Sequence, residues 1–85
     1  MREFTYTIKD EIGIHARPAG VLCKIAKEGK SETVMECKGK KADLKKIFSI
    51  MALSVKCSDE VKISVTGEDE LEVSEKLENY FKENL

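Results

Sequence analysis

Apolar and polar positions alternate at the start of the chain. Phe4, Tyr6 and Ile8 fall on one side and Thr5 and Thr7 on the other, the period of a half-buried strand. After the loop KDEIG the period lengthens. From Ala16 the apolar positions Ala19, Leu22, Cys23 and Ala26 recur every three or four residues, which predicts an amphipathic helix ended by Gly29. ETVMEC, residues 32–37, reads as a second strand, and KGKK supplies a glycine-centred hairpin turn into a short third strand near Lys41 to Leu44. Residues 47–53 read as a short helix. EVKISVT, residues 60–66, alternates through Val61, Ile63 and Val65 as a fourth strand. Beyond a break at Gly67, the residues Val73, Leu77, Tyr80 and Phe81 line one face of a terminal helix.

The resulting order is β-α-β-β-α-β-α. Two βαβ-like halves in so short a chain imply an α+β fold, an open-faced sandwich with a four-stranded antiparallel sheet and three helices on one face. No linker, internal repeat or low-complexity segment interrupts it. Residues 1–85 are expected to form a single domain with a small core.

Composition narrows the class. No segment is long or apolar enough to span a membrane, and the N-terminus lacks the pattern of a signal peptide. Cys23, Cys37 and Cys57 are odd in number and lack CxxC spacing, so disulfide and zinc frameworks are poor readings and a reducing cytoplasm is the simplest setting. Charge is uneven. Residues 24–46 carry eight Lys against four acids, and residues 59–85 carry nine acids against three Lys. The chain as a whole is not basic, which argues against nucleic acid. The lysine-rich half suits an anionic group or an acidic protein partner, unless it is simply a solvated face.

The only histidine lies in GIHARPAG, residues 13–20. On the strand-loop-helix reading His15 falls at or just before the first helical residue, and Gly13 gives the loop freedom to turn. First-turn N–H groups have no intrahelical partners and the helix dipole adds positive potential, so such a place accepts an anion. Arg17 adds a planar donor fork suited to phosphate oxygens. Pro18 is tolerated in the first turn, where its missing N–H costs nothing. An imidazole titrates near neutrality and is a credible nucleophile for a phosphoryl group there. A cap or an ordinary surface residue is the plainer assignment for a lone histidine. The sequence shows no serine or cysteine triad, no glycine-rich phosphate loop and no second metal ligand, so neither a metal nor a cofactor is expected.

With GIHARPA ahead of a helix and LKKIFSIMALSV leading into the next, the chain resembles the HPr family over essentially its whole length. These are histidine-containing phosphocarriers of the bacterial phosphoenolpyruvate-dependent sugar phosphotransferase system. The resemblance implies the open-faced sandwich. It also implies that His15 is phosphorylated at Nδ1 by enzyme I and passes the group to EIIA domains of sugar permeases. Arg17 would contact the phosphoryl oxygens at the helix start formed by Ala16, Arg17 and Pro18. The chain would act as a carrier rather than a self-contained enzyme.

The family's partners dock on the first and second helices. Carried onto this chain, that surface includes Gly20, Lys24, Lys27, Ile47, Phe48 and Met51. The residues agree with the resemblance. Ile47 and Met51 stand four apart with Phe48 alongside, Ile50 and Leu53 can point to the core, and lysines rim the group. Core packing is the competing assignment for Ile47 and Phe48. A monomer suits a carrier that must visit several partners through one face.

One departure stands out. Many family members carry a regulatory serine at the start of the second helix, phosphorylated by an ATP-dependent kinase, and here Lys46 takes that place. The serine switch is expected to be absent. Lysine is also a poor N-cap whose charge opposes the dipole, while Ser49 lies too far into the helix to substitute. A regulatory adaptor, or a phosphocarrier of the nitrogen-related branch that controls partners by phosphorylation state, is the alternative reading. A small ferredoxin-like ligand-binding module would rest on element order alone.

Overall fold

The initial alternation forms β1 (Arg2–Thr7), with Phe4 and Tyr6 half-buried and their neighbours exposed. In this computed structural model, which describes residues 1–85, β2 (Glu32–Cys37), β3 (Lys40–Asp43) and β4 (Glu60–Thr66) complete the sheet. The strand order is β1-β4-β2-β3 and every pairing is antiparallel. Ile63 in the middle of β4 stands opposite Phe4 on one side and Met35 on the other. Val61, Ile63 and Val65 share a buried face with Thr33, Met35 and Cys37, while Glu32 and Lys62 are exposed on the other face.

Three helices cover the buried face: α1 (Ala16–Glu28), α2 (Ile47–Ala52) and α3 (Glu70–Asn84). The expected β-α-β-β-α-β-α order and open-faced sandwich are both present. Leu22 and Ala26 of α1, Ile50 of α2 and Leu77 and Phe81 of α3 close onto the strands as one core. Phe81 meets the Phe4 ring edge-on at 6.0 Å and the Tyr6 ring at 5.6 Å. Truncating so enclosed a ring to alanine costs about 3–5 kcal/mol.

Element ends move by a residue where pairing outranks pattern. Ile8 is buried as the alternation requires, but its N–H bonds Asp59 O (2.9 Å) beyond the ladder, so β1 stops at Thr7. β3 begins at Lys40 because Lys38 and Gly39 both take positive φ, 54° and 80°, the two-residue turn that matches strand twist. α2 ends at Ala52, with Leu53 as its C-cap.

α1 and α3 run antiparallel. The C-terminal end of α1 meets the start of α3, where Gly29 lies against Val73 and Asp69. The Asp69 carboxylate accepts the Lys30 N–H at 2.8 Å and the Ser31 hydroxyl, and these bonds hold it below the usual carboxylate range. At the opposite end the Leu85 carbonyl accepts the N–H groups of Lys9 and Asp10, the latter at 2.9 Å. The loop that leads to His15 therefore rests on the end of α3. No helix is long and apolar enough to cross a membrane.

Candidate functional site

The loop into α1 is pinned before it reaches His15. Asp10 accepts the Ile12 N–H on Oδ1 at 2.8 Å and the Gly13 N–H on its carbonyl at 3.0 Å. Asp and Gly thus occupy the first and fourth places of a tight turn. Gly13 has a φ of +80°, and a β-carbon there would fall 2.6 Å from Lys56 Cα. Only glycine combines that conformation with so close a backbone approach. Ile14 is buried and donates to Val55 O at 3.0 Å, which fixes the chain one residue before the imidazole.

His15 takes the N-cap position of α1 with extended backbone, φ −116° and ψ −170°. Its carbonyl accepts the Ala19 N–H at 3.0 Å, but its side chain makes no capping hydrogen bond. The half-buried ring is therefore not spent on the structural task that its position suggests. The N–H groups of Ala16 and Arg17 open the helix without intrahelical acceptors, and Pro18, which is buried, has no N–H to satisfy. Arg17 is exposed and makes no ion pair. Across the layer, burial pushes the Tyr80 phenol up, and the Arg17 charge opposes that shift.

The residues expected to dock partners divide between α1 and α2, which pack together. The Cys23 thiol donates to Lys45 O at 3.3 Å. Ile47 Cδ1 stands 3.8 Å from where Gly20 would carry a β-carbon. Ile47 is half-buried against the core, while Phe48 is 84% exposed and Met51 41% exposed. Ile50 is buried and Leu53 half-buried, as the helical spacing required. Lys24 and Lys27 are exposed on α1. Of the eight lysines between residues 24 and 46, Lys38 alone forms an ion pair, at 3.2 Å to Asp59. The other seven are unpaired, and the segment keeps an excess of lysines over acids.

Lys46 occupies the N-cap of α2 and offers it no side-chain bond. Asp43 organises the entry instead. Its Oδ1 accepts the Lys45 N–H (2.9 Å) and its carbonyl the Lys46 N–H (3.0 Å). Its own N–H goes to Ser49 Oγ at 3.1 Å, so that hydroxyl already has a structural task.

Two residues join the site that the hydrophobic pattern did not single out. Ile12, 70% exposed, stands three residues before His15 on the pinned loop. Asp10 builds that loop, and the spacing Asp-Glu-Ile-Gly was its signal.

The chain matches the PTS-HPr family, described as the PTS HPr component phosphorylation site, over residues 2–83. It is 38% identical to the phosphocarrier protein HPr of Mycoplasma capricolum over 69 residues, 81% of this chain and 78% of that protein. Its fold is similar to a solved histidine-containing phosphocarrier protein of Mycoplasma, with a TM-score of 0.94 and 30% identity over 96% of this chain and 93% of the other. It also resembles Crh, the Bacillus subtilis catabolite repression protein solved as a swapped dimer. There the TM-score is 0.78 and identity 35%, over 94% of this chain and 92% of the other.

Proposed function

The chain belongs to the HPr family of the phosphotransferase system, and from that premise we propose that it carries a phosphoryl group on His15. Enzyme I supplies the group and EIIA domains of sugar permeases accept it, in the cytoplasm, with residues 1–85 acting as one monomeric HPr domain. The observation that carries this reading is the N-cap position of an imidazole that makes no capping bond. A neutral ring nitrogen, Nδ1, attacks phosphorus. An N–P bond forms as the donor's bond to phosphorus breaks, and the second transfer repeats the exchange toward the acceptor. The free N–H groups of Ala16 and Arg17 and the Arg17 guanidinium face the added charge, stabilising the phosphorylated state without further covalent chemistry.

Docking on Gly20, Lys24, Lys27, Ile47, Phe48 and Met51 brings an acidic partner to the His15 end. Unpaired lysines steer the approach, and Phe48 and Met51 supply apolar contact area. With Lys46 at the start of α2 and the Ser49 hydroxyl bonded to Asp43, the chain runs without the serine-kinase switch. The test is incubation with phosphoenolpyruvate and a cognate enzyme I. Wild-type protein gains an acid-labile phosphate and His15→Ala gains none; label that survives the substitution overturns the assignment.

The similarity to Crh favours a second reading, an HPr-like regulatory adaptor or nitrogen-branch carrier that controls partners by phosphorylation state. Competition between sugar-type and nitrogen-type EIIA domains for the phosphorylated form separates the two.

A further inference from the structure

We propose that Lys56 supplies a second cation to the phosphoryl group on His15, its ammonium closing on the phosphoryl oxygens beside Arg17. The proposal rests on the phosphocarrier reading of His15 and extends that site to the segment between α2 and β4.

The packing of that segment on the loop before His15 carries it. Val55 is buried, and its carbonyl accepts the Ile14 N–H at 3.0 Å. The Lys56 backbone lies against Gly13, where a β-carbon would fall 2.6 Å from Lys56 Cα and 3.1 Å from its carbonyl carbon. Two residues of chain span at most about 7 Å, so Lys56 Cα stands within about 11 Å of His15 Cα. The four-carbon lysine stem covers much of that distance, and a phosphoryl group on the imidazole shortens the rest.

Lys56 is fixed along its backbone and free along its side chain. Asp59 Oδ2 accepts the Lys56 N–H at 2.9 Å, and the Lys56 carbonyl accepts the Asp59 N–H at 3.0 Å. The same carboxylate oxygen holds the Lys38 ammonium at 3.2 Å, whereas Lys56 is exposed and forms no ion pair. Of the acids on the loop, Asp10 receives the Ile12 N–H on Oδ1, and Glu11 is exposed and makes no pair with Lys56. The ammonium of Lys56 is therefore uncommitted.

Charge balance gives it a task. A phosphoryl group carries close to two negative charges near neutrality. Arg17 supplies one positive charge and the start of α1 about half of another. A lysine suits the remainder, as a point charge with three donors on a flexible stem that follows phosphorus onto and off the nitrogen.

The experiment compares wild type, Lys56→Met and Lys56→Arg in two assays, with unfolding midpoints measured alongside. In the first, phosphoramidate loads His15 without enzyme I, ammonia leaving as the N–P bond to the ring forms. Phosphorus NMR then follows the second ionisation of the phosphoryl group. A nearby cation favours the dianion, so Lys56→Met should raise that midpoint by about 0.3–0.7 pH units and Lys56→Arg should restore it. In the second, the equilibrium of transfer from phosphorylated enzyme I should be about twofold to fivefold less favourable in Lys56→Met, the same shift read as a ratio. An ionisation midpoint that Lys56→Met leaves unmoved, or that Lys56→Arg fails to restore, overturns the proposal. A rise in KM with no such shift overturns it too, by making Lys56 a docking charge. Failure of wild type to take phosphoryl from enzyme I strikes the phosphocarrier reading instead, and the phosphoramidate assay then still decides whether Lys56 meets the group.

Discussion

Ile47 Cδ1 lies 3.8 Å from the point where Gly20 would carry a β-carbon, so α1 and α2 meet there with room for one methyl group. Gly20 sits inside α1, where glycine costs about 0.5–1 kcal/mol relative to alanine. Gly20→Ala should therefore stabilise the protein by about that amount, read from urea unfolding at constant slope. A loss of stability would mean that α1 and α2 cannot accept the methyl.

Lys46→Ser should also stabilise. Lys46 is the N-cap of α2 without a capping bond, and its charge opposes the helix dipole. Serine there can accept a first-turn N–H, worth about 0.5–2 kcal/mol. The same unfolding measurement checks it, and an unchanged midpoint would assign the capping task wholly to Asp43 and Ser49.

All seven elements were legible, β1, β2 and β4 from alternation and α1 and α3 from a three-to-four stripe, whereas α2, which buries only Ile50, is too brief for periodicity alone to decide. Their ends were less so. Ile8 obeys the alternation yet bonds beyond the ladder, and the start of β3 depends on positive φ at Lys38, which no residue preference announces. His15, Arg17 and Pro18 were readable because the chemistry of a helix start is local. The approach of Gly20 to Ile47 and the backbone approach of Gly13 to Lys56 join residues far apart in the chain. They exist only once the helices pack.

Phe48 separates docking from folding. At 84% exposure its ring contributes little to the core, so Phe48→Ala should leave stability within about 0.5 kcal/mol of wild type. A desolvated aromatic anchor is worth more than about 1 kcal/mol at an interface, so affinity for enzyme I should fall at least about fivefold. Calorimetric titration with enzyme I measures it. Unchanged affinity would remove Phe48 from the docking surface.

Asp69 predicts the acid side of the stability curve. The Ser31 hydroxyl and the Lys30 N–H favour its ionised form in the folded state. A carboxyl lowered on folding contributes stability that is present above its unfolded value, about 3.9, and is lost as pH falls through the folded value. Asp69→Asn should therefore be less stable than wild type at pH 7 and lose less on acidification from about pH 4 downward. Asp59, lowered chiefly by the Lys56 N–H, leaves some acid sensitivity in the variant. Urea unfolding across that range gives both slopes, and equal slopes would show that Asp69 is not the linked group.

Gly13 ties stability to chemistry, and Gly39 serves as its control. Both hold φ near +80°, but a β-carbon at Gly39 meets nothing within 4 Å, whereas one at Gly13 meets the Val55 carbonyl and lies 2.6 Å from Lys56 Cα. Left-handed backbone costs an alanine about 1–2 kcal/mol at either position. The excess loss of Gly13→Ala over Gly39→Ala then measures the backbone contact alone. Relief of that contact must push the loop off Val55 and Lys56, stretching the Ile14 N–H bond to Val55 O and moving His15 away from the Ala16 and Arg17 N–H groups. Gly13→Ala should accordingly slow phosphoryl transfer at temperatures where it remains folded, while Gly39→Ala transfers at the wild-type rate. Equal transfer by the two variants would show that the loop's grip on Val55 and Lys56 serves the fold and not the histidine.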